Sequence, residues 1–180
     1  MVTIIFETHA TSLDNERHLS SGHNDVALSE LGIRLAKELG ERYKSDHFDV
    51  IFCSDLQRAY KTAELAFDDL YQIIRDPRLR ECDYGDFAQK PSSVVEPEKA
   101  RRISEPFPNG ESYEQTTERM HSFLADLLKN YDDKRVMIIG HRATLYGLEH
   151  WVKGVSIKDA IAAPWQWQPG WTYELERLPE

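Results

Sequence analysis

Two histidines, an arginine and a glutamate hold the chemistry that this sequence could perform. His9, Arg58 and His141 each follow a short apolar run, and Glu81 lies in an irregular stretch after another. An imidazole is a competent nucleophile. A guanidinium grips phosphate oxygens through paired hydrogen bonds, and a carboxylic acid can protonate a leaving oxygen. Brought to one place, the four would suit phosphoryl transfer. Taken singly they allow plainer readings: Arg58 could cap its helix or pair with Asp55 or Glu64, and Glu81 could be a solvated loop acid.

Positioning them requires strands. Val2 to Phe6 is a β-branched run that breaks off into Glu7, Thr8 and His9; Asp49–Cys53 and Val136–Ile139 have the same buried-strand profile. A further strand is predicted near Tyr71–Ile74 and a last one around Thr172–Glu176. Between them, Ser29 opens a helix whose Leu31, Leu35, Leu39 and Tyr43 recur every four residues as one buried face. Ser54 to Gln57 and Ser112 to Gln115 match capping boxes, placing helices over 54–68 and from 112 through Tyr131. A helix over 143–153 ends at Gly154, a natural C-cap. Residues 11–28 read as a loop, and 86–110 as an excursion of loop or short helix. Alternating strands and amphipathic helices imply a three-layer α/β/α sandwich around a mostly parallel sheet. Parallel strands would then deliver His9, Arg58 and His141 to one sheet edge, where such folds bind ligands.

Composition narrows the setting. The chain has 180 residues, enough for one domain spanning 1–180. A net charge of −9 argues against nucleic acid or an anionic membrane as partner, yet leaves room for a small phosphorylated ligand in a local cationic pocket. No apolar run approaches membrane-span length and no signal peptide is evident. Cys53 and Cys82 form no framework, so reduced thiols in a cytoplasmic protein are expected, with Cys82 buried and inert.

At these residues the chain resembles the histidine phosphatase superfamily, also called phosphoglycerate mutase-like. The opening motif Arg-His-Gly-Glu-Thr-x-x-Asn is matched by Thr8-His9-Ala10-Thr11-Ser12-Leu13-Asp14-Asn15. The helix start Ser-Asp-Leu-x-Arg-Ala-x-x-Thr-Ala-Glu is present from Ser54 to Glu64, the most specific of the matches. Leu79-Arg80-Glu81 running to Gly85, Gly110-Glu111-Ser112, and His141 complete the series in order. The resemblance implies that His9 becomes a phosphohistidine and that Glu81 serves as general acid and then base. It implies that Arg58 and His141 bind the phosphoryl group, with a hydrogen bond from Asn15, and that neither metal nor cofactor is needed. The histidine spacings agree, since no pair has the close spacing of zinc ligands. A phosphatase for a small phosphorylated metabolite is the expected activity. Mutase activity is less expected, because the family's mutases carry extra segments.

Three departures fall inside the implied site. The motif arginine is Thr8, the glycine after the nucleophile is Ala10, and a small residue after the second histidine is Arg142. Losing a phosphate-binding donor can cost roughly 3 kcal/mol of transition-state stabilisation, about a hundredfold in rate. Arg142 could restore that charge, or Glu7 could pair with Arg142 and hold it away. If the charge is not restored, the alternative is a phospho-ligand-binding or regulatory domain with weakened catalysis. His18 and His23 could line the pocket rim, whereas His47, His121 and His150 read as surface or packing residues. Trp165, Trp167 and Trp171 would cover the core, form the self-association surface of a homodimer, or wall the pocket.

Overall fold

A computed structural model describes residues 1–67 and 69–179. In chain order its elements are β1 (Val2–Thr8), α1 (Leu13–Glu16), β2 (Leu19–Ser20), α2 (Glu30–Arg42), β3 (Val50–Cys53), α3 (Gln57–Phe67) and β4 (Ile73–Arg75). There follow β5 (Lys90–Pro91), α4 (Ser92–Val95), α5 (Tyr113–Asn130), β6 (Arg135–Gly140), α6 (Arg142–Lys153), α7 (Ile157–Ala162) and β7 (Trp171–Leu175). Asp68, the expected last residue of the third helix, lies outside the described residues.

The sheet runs β4-β3-β6-β1-β7, all parallel except the antiparallel edge strand β7. Its central strands are buried on both faces, which is why they read as unbroken apolar runs rather than as alternation. On one face Ile4, Phe6, Phe52 and Ile138 pack with Met120, Phe123 and Leu124 of α5 and Leu148 of α6. On the other, Ile5, Ile51 and Met137 pack with Leu39 of α2 and Ala59, Ala63 and Phe67 of α3. This is the expected three-layer α/β/α arrangement.

The buried face of α2 differs from the one its leucines suggested. Gly32, Ala36 and Leu39 are buried, while Leu31 and Leu35 are exposed. The cause is close backbone approach. A Cβ on Gly32 would stand 1.9 Å from the Thr11 carbonyl oxygen, and one on Gly40 would stand 2.5 Å from that of Ala66. The small residues set the packing face together with Leu39, so Leu31 and Leu35 point elsewhere.

Helix starts follow local chemistry with one exception. Ser112 and Gln115 form the expected capping box on α5, and Gly154 ends α6 in the left-handed conformation. At α3 the expected box is absent. The helix begins at Gln57, and Asp25 from the 11–28 loop lies over its end. Asp25 Oδ1 accepts from the Gln57 backbone N–H (2.7 Å), and the Gln57 side chain donates to the Asp25 carbonyl (2.8 Å). That loop is also more ordered than its composition implied. Ser12 and Asn15 form a capping box on α1, and β2 pairs with β5 of the excursion.

Candidate active site

The parallel strands place the predicted residues as expected. His9 follows β1 and His141 follows β6, with their rings 5.0 Å apart between centroids. Arg58 is the second residue of α3, after β3. All three stand at the carboxyl edge of the sheet. A cavity of about 320 Å³ opens there, lined by Thr8, His9, Asn15, Arg58, Glu81 and Arg142 among others. His141 is 2 % exposed beside His9, with both ring nitrogens lacking a hydrogen-bond partner among the described residues.

The state of His9 follows from its neighbours. Its Nδ1 is 2.7 Å from the Ala10 carbonyl oxygen. Burial, and then the Arg58 charge, hold its pKa down to about 3, so the ring is neutral at ordinary pH. A carbonyl can only accept, so the single ring proton is on Nδ1 and the lone pair is on Nε2. Burial and the same guanidinium also push His141 well below its usual range. Two neutral imidazoles side by side result.

Each catalytic candidate is braced from outside the cavity. The Thr62 hydroxyl donates to the Arg58 carbonyl (2.7 Å) and accepts from the Ala10 N–H (3.0 Å), tying the loop after His9 to α3. Thr144 does the same for His141, accepting from its N–H and donating to the Leu79 carbonyl, both at 3.0 Å. Arg58, 2 % exposed, donates to the carbonyls of Gly22 (2.7 Å) and Asn24 (3.0 Å). It pairs with neither Asp55 nor Glu64; Asp55 holds Arg80, and Glu64 holds Lys61 and Arg75. The Glu81 carboxylate accepts from the Cys82 N–H (2.8 Å). Arg119 of α5 donates to the carbonyls of Arg78, Arg80 and Glu81 and to both oxygens of Glu111. Glu111 in turn accepts from the Asp83 N–H and donates its own N–H to the Asp83 carbonyl.

Two expectations are corrected. Glu7 does not meet Arg142. It is a buried residue of β1, 2 % exposed, and accepts from Arg42 of α2 (2.8 Å) and from the hydroxyl of Tyr43 just after it (2.7 Å). Burial raises its pKa, and those two donors offset part of the rise. His23 is not a pocket wall. Its Nε2 contacts the Glu81 carbonyl oxygen (2.8 Å), and it lies near Asp83 and Glu111. His18 is exposed and lines no part of the cavity. Asn15 does line it, although its side-chain oxygen is spent on Ser12.

Other lining groups carry no motif. Lys99, 3 % exposed, enters from the 86–110 excursion and donates to Glu96 (2.7 Å), which also accepts from Arg142 (3.1 Å). Only burial of a lysine between proline-flanked turns could have signalled it, and sequence does not display burial. Trp165 walls the cavity with the Arg142 guanidinium 5.2 Å from its ring. Trp171 instead packs on the core, and Trp167 lines a second cavity against α2. His47, His121 and His150 pack on Tyr71 or Trp151, and Cys82 is fully buried, with its pKa raised by burial.

The sequence profile described as "Histidine phosphatase superfamily (branch 1)" matches residues 4–172. The chain belongs to that family. It is 32 % identical over 149 residues to a protein of Bacillus subtilis named "Uncharacterized phosphatase PhoE", covering 82 % of this chain and 76 % of that one. It is 32 % identical over 166 residues to "Phosphoserine phosphatase 1" of Hydrogenobacter thermophilus, covering 87 % and 79 %. Among solved structures, "Bacillus stearothermophilus YhfR" superposes with a TM-score of 0.82 at 22 % identity, over 94 % of this chain and 88 % of that one.

Proposed function

We propose that this chain hydrolyses a small phosphomonoester through a phosphohistidine on His9. The observation that carries the reading is the His9 tautomer: Nδ1 is tied to the Ala10 carbonyl, so the lone pair of a neutral ring is on Nε2 beside Arg58 and His141. In the first step Nε2 attacks phosphorus, the P–O ester bond breaks, and protonated Glu81 gives its proton to the departing alcohol oxygen. In the second, the Glu81 carboxylate takes a proton from water as its oxygen attacks, and His9 leaves unchanged. Arg58 steadies the charge on the transferring group, and His141, its ring 5.0 Å from that of His9, can donate to it. Thr8 supplies no charge where the family has arginine; Arg142 and Lys99 bring cationic groups to the same lining.

Brief reaction with a labelled phosphodonor tests this. Acid-labile, base-stable label on the wild-type chain, and none on His9→Ala, is the expected result. No label, together with no phosphate release from a broad ester panel, would refute hydrolysis and favour a phospho-ligand-binding role.

A further inference from the structure

The cavity is lined by two sets of charged groups, His9 with Arg58 and Lys99 with Glu96 and Arg142, together with Glu81. His9 and His141 stand in the field of Arg58. Lys99 is depressed by burial and then by Arg142, and it also feels Glu81 and Glu96. Arg58 feels Glu81 as well. Glu81 thus shares one cavity lining with both the Arg58 set and the Lys99 and Arg142 set. A general acid must face the leaving oxygen, so the remainder of the alcohol lies away from the nucleophile.

The second set has a built geometry. One carboxylate oxygen of Glu96 accepts from both Lys99 Nζ (2.7 Å) and the Arg142 guanidinium (3.1 Å). The Lys99 side chain is 4 % exposed and that of Glu96 is 42 % exposed. The cation is therefore fixed in the wall while its counter-ion borders solvent. Lys99 has three donors and Glu96 engages one of them. Trp165 gives Arg142 a flat support. A buried lysine is costly unless an anion meets it, and here that anion is on a side chain that reaches solvent.

We propose that Lys99 and Arg142 form a carboxylate subsite on the leaving-group side of the cavity, which Glu96 engages until a substrate carboxylate displaces it. This rests on the phosphatase reading and narrows its substrate class to phosphomonoesters whose alcohol carries a carboxylate. Two charge-assisted contacts are worth at least about tenfold in affinity.

Calorimetry on full-length His9→Ala reads binding without turnover. The probes are 3-phosphoglycerate and glycerol 3-phosphate, which differ by a carboxylate in place of a hydroxymethyl group. The expected result is at least ~tenfold tighter binding of 3-phosphoglycerate, with the preference lost on adding Lys99→Met and, independently, Arg142→Gln. Adding Glu96→Gln should widen it. Equal affinities in His9→Ala, or a preference that survives both cation replacements, overturn the subsite. A preference narrowed by Glu96→Gln overturns the role given to Glu96. Phosphate release from p-nitrophenyl phosphate by the wild-type chain is measured alongside. Its absence with the preference intact counts against the phosphatase reading alone, and the reverse pattern counts against the subsite alone.

Discussion

Thr62→Val isolates how α3 holds the loop that carries the proposed nucleophile. Valine matches the shape of threonine, so at a residue 1 % exposed the change removes a hydroxyl and leaves no cavity. Two hydrogen bonds go: the one donated to the Arg58 carbonyl and the one accepted from the Ala10 N–H. The Arg58 carbonyl is within a helix and keeps its backbone role, so its loss is about 1 kcal/mol. The Ala10 N–H makes no other hydrogen bond among the described residues, and it is half-buried, so orphaning it costs roughly 1–2 kcal/mol, the lower part of the range for a buried donor. The sum is about 2–3 kcal/mol, a melting shift of roughly 5–10 °C for a chain of this length. Urea unfolding should give that loss for Thr62→Val, and Thr62→Ser, which keeps the hydroxyl, should recover most of it. Turnover of an aryl phosphate should fall more than binding weakens, because the His9 loop loses its anchor. A loss below about 0.5 kcal/mol, or a serine variant no better than valine, would show that the hydroxyl does not hold the loop.

Acid should weaken the fold through the histidines. A folded-state pKa near 3 for His9, against the ordinary 6.5, means the unfolded chain binds a proton that the folded chain refuses once pH drops below about 6.5. This contribution is intact above pH 6.5 and is lost progressively toward pH 3, about 2 kcal/mol between pH 7 and 5 from His9. Urea titrations at pH 7, 6 and 5 should show a shallower loss in His9→Ala; equal slopes would contradict a buried neutral ring. Gly32→Ala should lower stability by at least about 2 kcal/mol, since its Cβ would sit 1.9 Å from the Thr11 carbonyl oxygen. Gly154→Ala, with open space and φ of 70°, should cost about 1 kcal/mol by the same thermal measurement. Equal melting points for the two variants would rule out the close approach.

The legible parts of this chain are those governed by local pattern. Buried parallel strands announce themselves as β-branched runs, and their shared direction alone predicts that His9, Arg58 and His141 meet. The Ser112 box and Gly154 cap are likewise local. What stayed hidden depended on long-range partners. Glu7 at a strand end gave no sign of choosing Arg42 and Tyr43, more than thirty residues away, over Arg142. Asp25 capping α3 crosses a similar distance. The leucines of α2 suggested a buried stripe, but Gly32 and Gly40 decided the packing by letting backbone approach backbone. Lys99 could not be distinguished from any surface lysine until the excursion was folded over it.

The way Arg119 and Glu111 close the excursion has an evolutionary consequence. Glu81 stands at one end of the 82–110 segment and Glu111 at the other, and the same guanidinium holds both. Asp83 and Glu111 join the ends by two further hydrogen bonds. A segment whose ends are fixed together can change length and content without moving what lies outside it. The excursion is in this sense an interchangeable cassette. Lineages could remodel which alcohols are accepted while the proposed proton donor stayed in register with the proposed nucleophile, and grafting a relative's segment between Asp83 and Glu111 is the natural place to retarget this scaffold.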